Sequence, residues 1–388
     1  MHPGLNPLEK RIAMTPRERV TAALNHREPD RIPIDLGATM CSSLTLKANN
    51  SLKSYLGKPL TEELITNPLT DSVALTEDLL QLFGIDFRTV RMKGPEGIET
   101  EIDETGETIT DEFGTVWKRA EYDYVPFIFS YGEAELSDLK NLPEPDPYNP
   151  GRVRGIRQEA EKLRNETEYA VVADFICGGP FEQAQRIRGF EQFMVDMHTD
   201  PDFSRALLTK LTDNAIGLWD AMLSEVGEYV DVVCQGDDLG MQNGLQISPE
   251  MYRKFIKPCH KRLFDFMHSK TAGKVWLHSC GSVYDIIPDL IDVGVEALNP
   301  IQTKAKNMEL PLLKREFGNE ITIWGGGIDI QILPFMKTEE IEKEVTKVME
   351  LMAPGGGYVF AASHNILPDT SGENIYTAYQ TANQRRSK

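Results

Sequence analysis

Lys274-Val275-Trp276-Leu277-His278-Ser279-Cys280-Gly281 is the stretch that decides how the rest of the chain is read. Its apolar run is of strand length, too short for a helix, and it stops at a histidine, a cysteine and a glycine. Residues two apart on an extended segment point to the same face. His278 and Cys280 therefore present an imidazole and a thiol side by side, just where a strand ends. The bland reading is a packed histidine beside a buried thiol. The sharper one is a metal centre, because zinc takes nitrogen and sulfur ligands and a catalytic zinc has three protein ligands and an open position.

Outward from this stretch the same pattern recurs. Tyr169 to Cys177 reads as a strand ending in Gly178-Gly179-Pro180, and Tyr229 to Cys234 as one ending in Gly236-Asp237-Asp238. Downstream, Ala297-Leu298 ends in Asn299-Pro300, Ile321 to Trp324 in Gly325-Gly326-Gly327, and Gly357 to Ala361 in Ser363-His364-Asn365. Helical patterns separate them at Phe203 to Val226, Pro249 to Ser269, Val283 to Val293, Asn307 to Phe317 and Thr338 to Met352, and a last helix starts near Gly372. Short apolar strands alternating with helices imply parallel strands buried on both faces. The number of repeats, and no G-x-G-x-x-G after the first strand, favour a (βα)8 TIM-type barrel over an open doubly wound sheet. In such barrels catalytic residues sit at the C-terminal strand ends. Here those ends carry Asp237, Asp238, His278, Cys280, Asn299, His364 and Asn365.

The N-terminal third is less regular. Thr15 to Asn25 reads as a capped helix with proline at its first position, and Arg31 to Leu36 as a short β-type run. Ile98 to Trp117 alternates and turns at Glu104 to Glu107, which predicts an inserted β-hairpin or meander. Pro143 to Pro150 holds four prolines and reads as a linker. The expected organisation is an N-terminal segment, 1–150, packed on the main part of the barrel, 151–388.

Of the 388 residues, 40% are hydrophobic and 26% charged, the balance of a folded globular chain. No run approaches the roughly 20 apolar residues of a membrane span, and Met1 to Lys10 lacks the apolar core of a signal peptide. Five scattered cysteines (Cys41, Cys177, Cys234, Cys259, Cys280) suggest free thiols in a reducing compartment, so the cytoplasm is expected. A formal charge of −19 argues against nucleic acid and anionic membrane as partners.

His364 ends a later strand and faces the same mouth, so it can be a third ligand; Cys234 competes for that place but sits in an alternating apolar run that suits a core thiol. Asp237 and Asp238 are candidates for catalysis, substrate binding or orienting a ligand histidine. Asn299, Asn365 and Cys234 are candidate substrate contacts. The glycine triplets at 325–327 and 355–357 match no phosphate-binding fingerprint and are explained as well by close packing. Tyr122, Tyr124, Phe127, Phe129 and Tyr131 can wall an apolar pocket or simply pack the hairpin.

These motifs resemble the uroporphyrinogen decarboxylase superfamily along nearly the whole chain. Arg17 to Asp35 (RERVTAALNHREPDRIPID), Gly236 to Tyr252 (GDDLG with ISPEMY), Leu277 to Val283 (LHSCGSV) and Ser363 to Ile375 (SHNILPDT, then ENI) carry the likeness. The superfamily has a porphyrinogen decarboxylase branch and a branch of zinc-dependent methyltransferases that work with corrinoid proteins. The decarboxylases place an arginine-rich R-Q-A-G-R-Y stretch where this chain has Leu36-Gly37-Ala38-Thr39-Met40-Cys41, while His278-Ser279-Cys280 matches the H-x-C of the methyltransferases. The methyltransferase pattern puts a third cysteine ligand where this sequence has His364, and the decarboxylases also have a histidine there. The resemblance thus implies a zinc site of His278, Cys280 and His364. It implies methyl transfer from a small methylated substrate, a methoxylated aromatic first, to the Co(I) corrinoid (cobalamin) of a partner protein. Methyl transfer from a corrinoid to a thiol and a metal-free decarboxylase, with Arg186 and Arg188 as carboxylate binders, are the alternatives. A homodimer is compatible with the sequence.

Overall fold

The computed structural model describes residues 13–384 apart from 99–100, 103–104, 122 and 175–177. Met1 to Lys10, Tyr122, Cys177 and part of the predicted hairpin arm at 98–103 lie outside the described residues.

The core is a parallel sheet of seven strands that curls on itself: Phe87–Val90, Ala170–Ala173, Val232–Gly236, Lys274–His278, Ala297–Asn299, Thr322–Trp324 and Tyr358–Val359, adjacent in that order. Pro33 to Asp35 lies between its two edges. Ile34 bridges Phe360 in parallel, the Asp35 amide donates to the Phe360 carbonyl at 2.8 Å, and the Asp86 amide donates to the Ile34 carbonyl at 3.1 Å. Eight staves result, and the fold is the α/β TIM-type barrel that the alternation predicts. The first two staves come from before residue 150.

Register explains the interior. Cys234 is level with Trp276, Trp276 with Ala297, and His278 with Gly236 and Asn299. Period two sends Trp276 and His278 inward together. Trp276 meets the Trp324 ring at 6.1 Å, Trp324 meets Phe87 at 4.8 Å, and its indole N–H donates to Asp35 at 2.8 Å. Side chains from four staves thus fill the barrel below its mouth, as in a packed core rather than a pore.

The helices follow their local signals. Pro16–Leu24 starts on a capping box between Thr15 and Glu18, worth about 1 kcal/mol. Pro201–Val226 is the long helix expected at 203–226, capped by Asp200. The 249–269 helix divides into Pro249–Met251, a π turn Tyr252–Ile256 and Lys257–Lys270. The predicted hairpin is a four-stranded antiparallel meander of Glu101–Ile102, Thr108–Thr110, Val116–Arg119 and Tyr124–Ile128. Pro143 to Pro150 wraps the long helix: the Asn214 side chain donates to the Pro145 carbonyl at 2.7 Å, and Pro147 lies against Gly217.

Candidate metal centre at the barrel mouth

His278 is the last residue of its strand, and Ser279 and Cys280 continue it into the mouth. Ser279 accepts the Leu239 amide at 3.0 Å. Gly281, with φ +79°, packs so closely on Gly240 that a Cβ would lie 2.5 Å from that backbone. The loops carrying Asp238 and Cys280 are thereby held against each other, and the Cys280 amide donates to Asp238 Oδ1 at 2.8 Å. His364 arrives from beyond the last stave, on a segment that bridges Ile328 through Ala362.

The ligand atoms of His278, Cys280 and His364 lie within 4.8 Å of one another, with His278 buried and the other two partly open to solvent. Cys280 Sγ is 3.5 Å from His278 Nε2, and the two imidazoles meet edge-on at 5.3 Å. His278 Nδ1 faces Asn299 Oδ1 at 2.8 Å, and Asn299 donates its amide to the Trp324 carbonyl at 3.1 Å. The amide's orientation leaves Oδ1 as an acceptor, so the His278 proton sits on Nδ1 and the lone pair on Nε2 faces Cys280.

Electrostatics keep the two imidazoles, but not the thiol, in ligand form. Burial lowers the basicity of His278, and burial with His278 beside it brings His364 down to about 4. Both imidazoles are neutral at pH 7. Burial and the neighbouring Asp238 raise the Cys280 thiol well above its ordinary value, so a cation would have to displace its proton. Two neutral imidazoles, one thiol and a fixed tautomer fit a zinc ion's preference for nitrogen and sulfur donors.

Other predicted residues divide. Asp238 stands at the site, 4.0 Å from His278 Nε2 and partly exposed. Asp237 is fully buried and turned away: it accepts the Phe181 and Glu182 amides at 3.2 and 2.6 Å, and meets His260 Nε2 at 2.8 Å. It caps the Pro180–Arg188 helix, whose approach is so tight that a Cβ on Gly179 would lie 2.3 Å from Asp237. Asn299 orients His278. Asn365 ties loops together, accepting from Ser43 and donating to Met40 and Ser72. Cys234 is fully buried in its strand. Tyr131 is core, with its hydroxyl on the Pro143 carbonyl, Tyr124 packs with Ile109 and Trp117, and Phe127 and Phe129 face solvent.

Several groups around the mouth were not singled out in the sequence. Asp174 takes the Met40 amide and Arg91 Nε, and Glu182 pairs with Arg186. The signal for Glu182 was available: it sits one turn before Arg186, in a helix opened by Gly178-Gly179-Pro180 after a strand end.

A parallel barrel with two imidazoles and a thiol gathered at its C-terminal mouth defines the class. Residues 108–385 match the family described as uroporphyrinogen decarboxylase (URO-D), and the chain belongs to that family. It is 28% identical over 183 residues to a uroporphyrinogen decarboxylase of Vesicomyosocius okutanii, covering 46% of this chain and 48% of that protein. It is 22% identical over 191 residues to the methylated-thiol–coenzyme M methyltransferase of Methanosarcina mazei, covering 49% and 48%. These matches span about half the length of either relative. A solved methyltransferase from Methanosarcina mazei superimposes with a TM-score of 0.65 at 20% identity, over 95% of this chain and 98% of that one. Among the described residues no helix is long and apolar enough to cross a membrane.

Proposed function

We propose that the chain is the substrate-demethylating component of a corrinoid-dependent methyltransferase system, acting in the cytoplasm on a small methylated compound, with a methoxylated aromatic favoured. The observation that carries this reading is the convergence of His278, Cys280 and His364 at the barrel mouth. Those three residues would hold zinc, which when bound supplies Lewis-acid stabilisation at the ether oxygen, where the leaving phenolate's charge develops. The methyl acceptor is the Co(I) corrinoid of a partner protein that docks over the mouth.

The chain's own residues prepare the site. Asn299 fixes the His278 tautomer, and Asp238 holds the Cys280 backbone and polarises the bound substrate. Asp237 acts at a distance by positioning the Pro180–Arg188 helix. Methyl transfer to a thiol is the second reading, favoured by the likeness to the methylated-thiol methyltransferase.

The test is metal content by elemental analysis in the protein and in Cys280→Ser. About one zinc per chain, lost in the variant, is expected. Methoxylated aromatics with Co(I) corrinoid, and thiols with methylcorrinoid, are then assayed side by side. Metal-free protein after careful handling would remove the Lewis acid and sink the proposal.

A further inference from the structure

The Pro180–Arg188 helix is tied to the loop that carries Asp238: Gln185 donates to Gln246 at 3.0 Å, and Gln246 donates to the Asp238 carbonyl at 3.1 Å. Beside Gln185 stands Arg186. One of its guanidinium nitrogens pairs with Glu182, and its Cζ lies 5.4 Å over the Trp117 ring of the meander. Its charge is close enough to lower the basicity of His278. Among the described residues Glu182 is its one hydrogen-bond partner, taking a single proton of Nη2, so one of the two edges that include Nη2 keeps both its donors. Gly178 leaves space there, since a Cβ would come within 2.8 Å of Nη1.

Neighbouring arginines are differently used. Arg188 is held by Asp196 and the carbonyls of Tyr131, Gly132 and Ala134. Arg31 is held by Asp86, and Arg91 by Asp174 and the Gly37 carbonyl. Nor does Glu182 cancel Arg186. Burial pushes its carboxyl up against the pull of Arg186, with Asp238 and Asp237 adding to the rise, which weakens it as a counter-charge. A cation with one edge free among the described residues thus stands within electrostatic reach of the candidate metal ligands, in a mouth otherwise rich in acids.

We propose that Arg186 is the anchor for a carboxylate on the methyl donor, which makes the substrate class methoxylated aromatic acids rather than neutral ethers. This rests on the demethylase reading for the methyl group and on Arg186 alone for the acid. The guanidinium fork engages a carboxylate through two parallel hydrogen bonds, which fixes the orientation of a rigid ring as well as its affinity.

Calorimetric binding of para-methoxybenzoate and the isosteric neutral para-methoxybenzamide to the zinc-loaded protein tests it. The acid should bind roughly 10- to 100-fold more tightly. Arg186→Gln should abolish that preference and Arg186→Lys should retain part of it, both with wild-type circular dichroism and zinc content. Equal affinities in the wild type, or a preference surviving in Arg186→Gln, overturns the anchor. Should Arg186→Gln fail to fold, the wild-type comparison and Arg186→Lys decide. The two readings fail separately. Demethylation of neutral and acidic ethers alike leaves the demethylase standing without the anchor. An acid preference lost in Arg186→Gln, with no methyl transfer to Co(I) corrinoid, leaves the anchor standing without the demethylase.

Discussion

His278 and Cys280 were legible because period two is a local property: two positions in one strand share a face whatever surrounds them. His364 needed the repeat pattern and the family likeness together, since nothing near it in sequence marks it as a partner. Asp237 and Asp238 show where local reading stops. They are adjacent, yet one faces the site and the other is enclosed by a helix terminus and His260, a division set by residues far away in the chain. Asp35 is a similar case. Burial, with Asp174 nearby, raises its carboxyl to about 6 despite hydrogen bonds from Ala38 and Trp324. A raised folded-state value means the native protein holds this proton after the unfolded chain has released it. Stability from this group is therefore present below pH ~4, falls as pH rises to about 6, and is flat above. Between pH 4 and 7 the wild type should lose about 2.4 kcal/mol relative to Asp35→Asn, read from urea unfolding at each pH. Parallel pH profiles for the two proteins would disprove the assignment.

Strands and helices after residue 151 were largely legible, because each strand is a short apolar run closed by glycine or a polar group. The first two staves were harder. Arg31 to Leu36 reads as a β-type run, but nothing in it announces that it joins the two sheet edges. Phe87–Val90 has an arginine in its middle, Arg88, which carries its charge out to Glu77. The seam between these staves is an ionic clamp. Asp86, fully buried, accepts from Arg19 at 2.6 Å, from Arg31 at 2.7 and 2.9 Å, and from the Ile34 amide at 2.8 Å. Asp86→Ala leaves Arg31 with carbonyl acceptors alone and no carboxylate, and Arg19 with Asp30 as its one carboxylate, at a cost of roughly 3 kcal/mol. Chemical denaturation should show this loss, and a change below about 1 kcal/mol would mean the clamp is not what holds the seam.

Across the molecule, one contiguous core runs from the N-terminal helix to the last one, so an event at the mouth is felt by the whole fold. Metal binding should therefore appear as global stability. At free zinc a hundredfold above its dissociation constant, unfolding should cost about 2.7 kcal/mol more than in chelator. Scanning calorimetry should show this gain in the wild type and not in Cys280→Ser; an equal gain in both would place the ion elsewhere.

The seam at Ile34 also sets the order in which the protein can be completed as it is made. The stave at 33–35 is made long before its partner at Phe360. Until then the nascent sheet has two open edges whose unpaired amides and carbonyls can pair with another chain. Ring closure thus waits on a contact of very long sequence separation. During synthesis, protection of the early staves falls to the clamp at Asp86, which is assembled from residues 19 to 86 and is available long before the ring can shut.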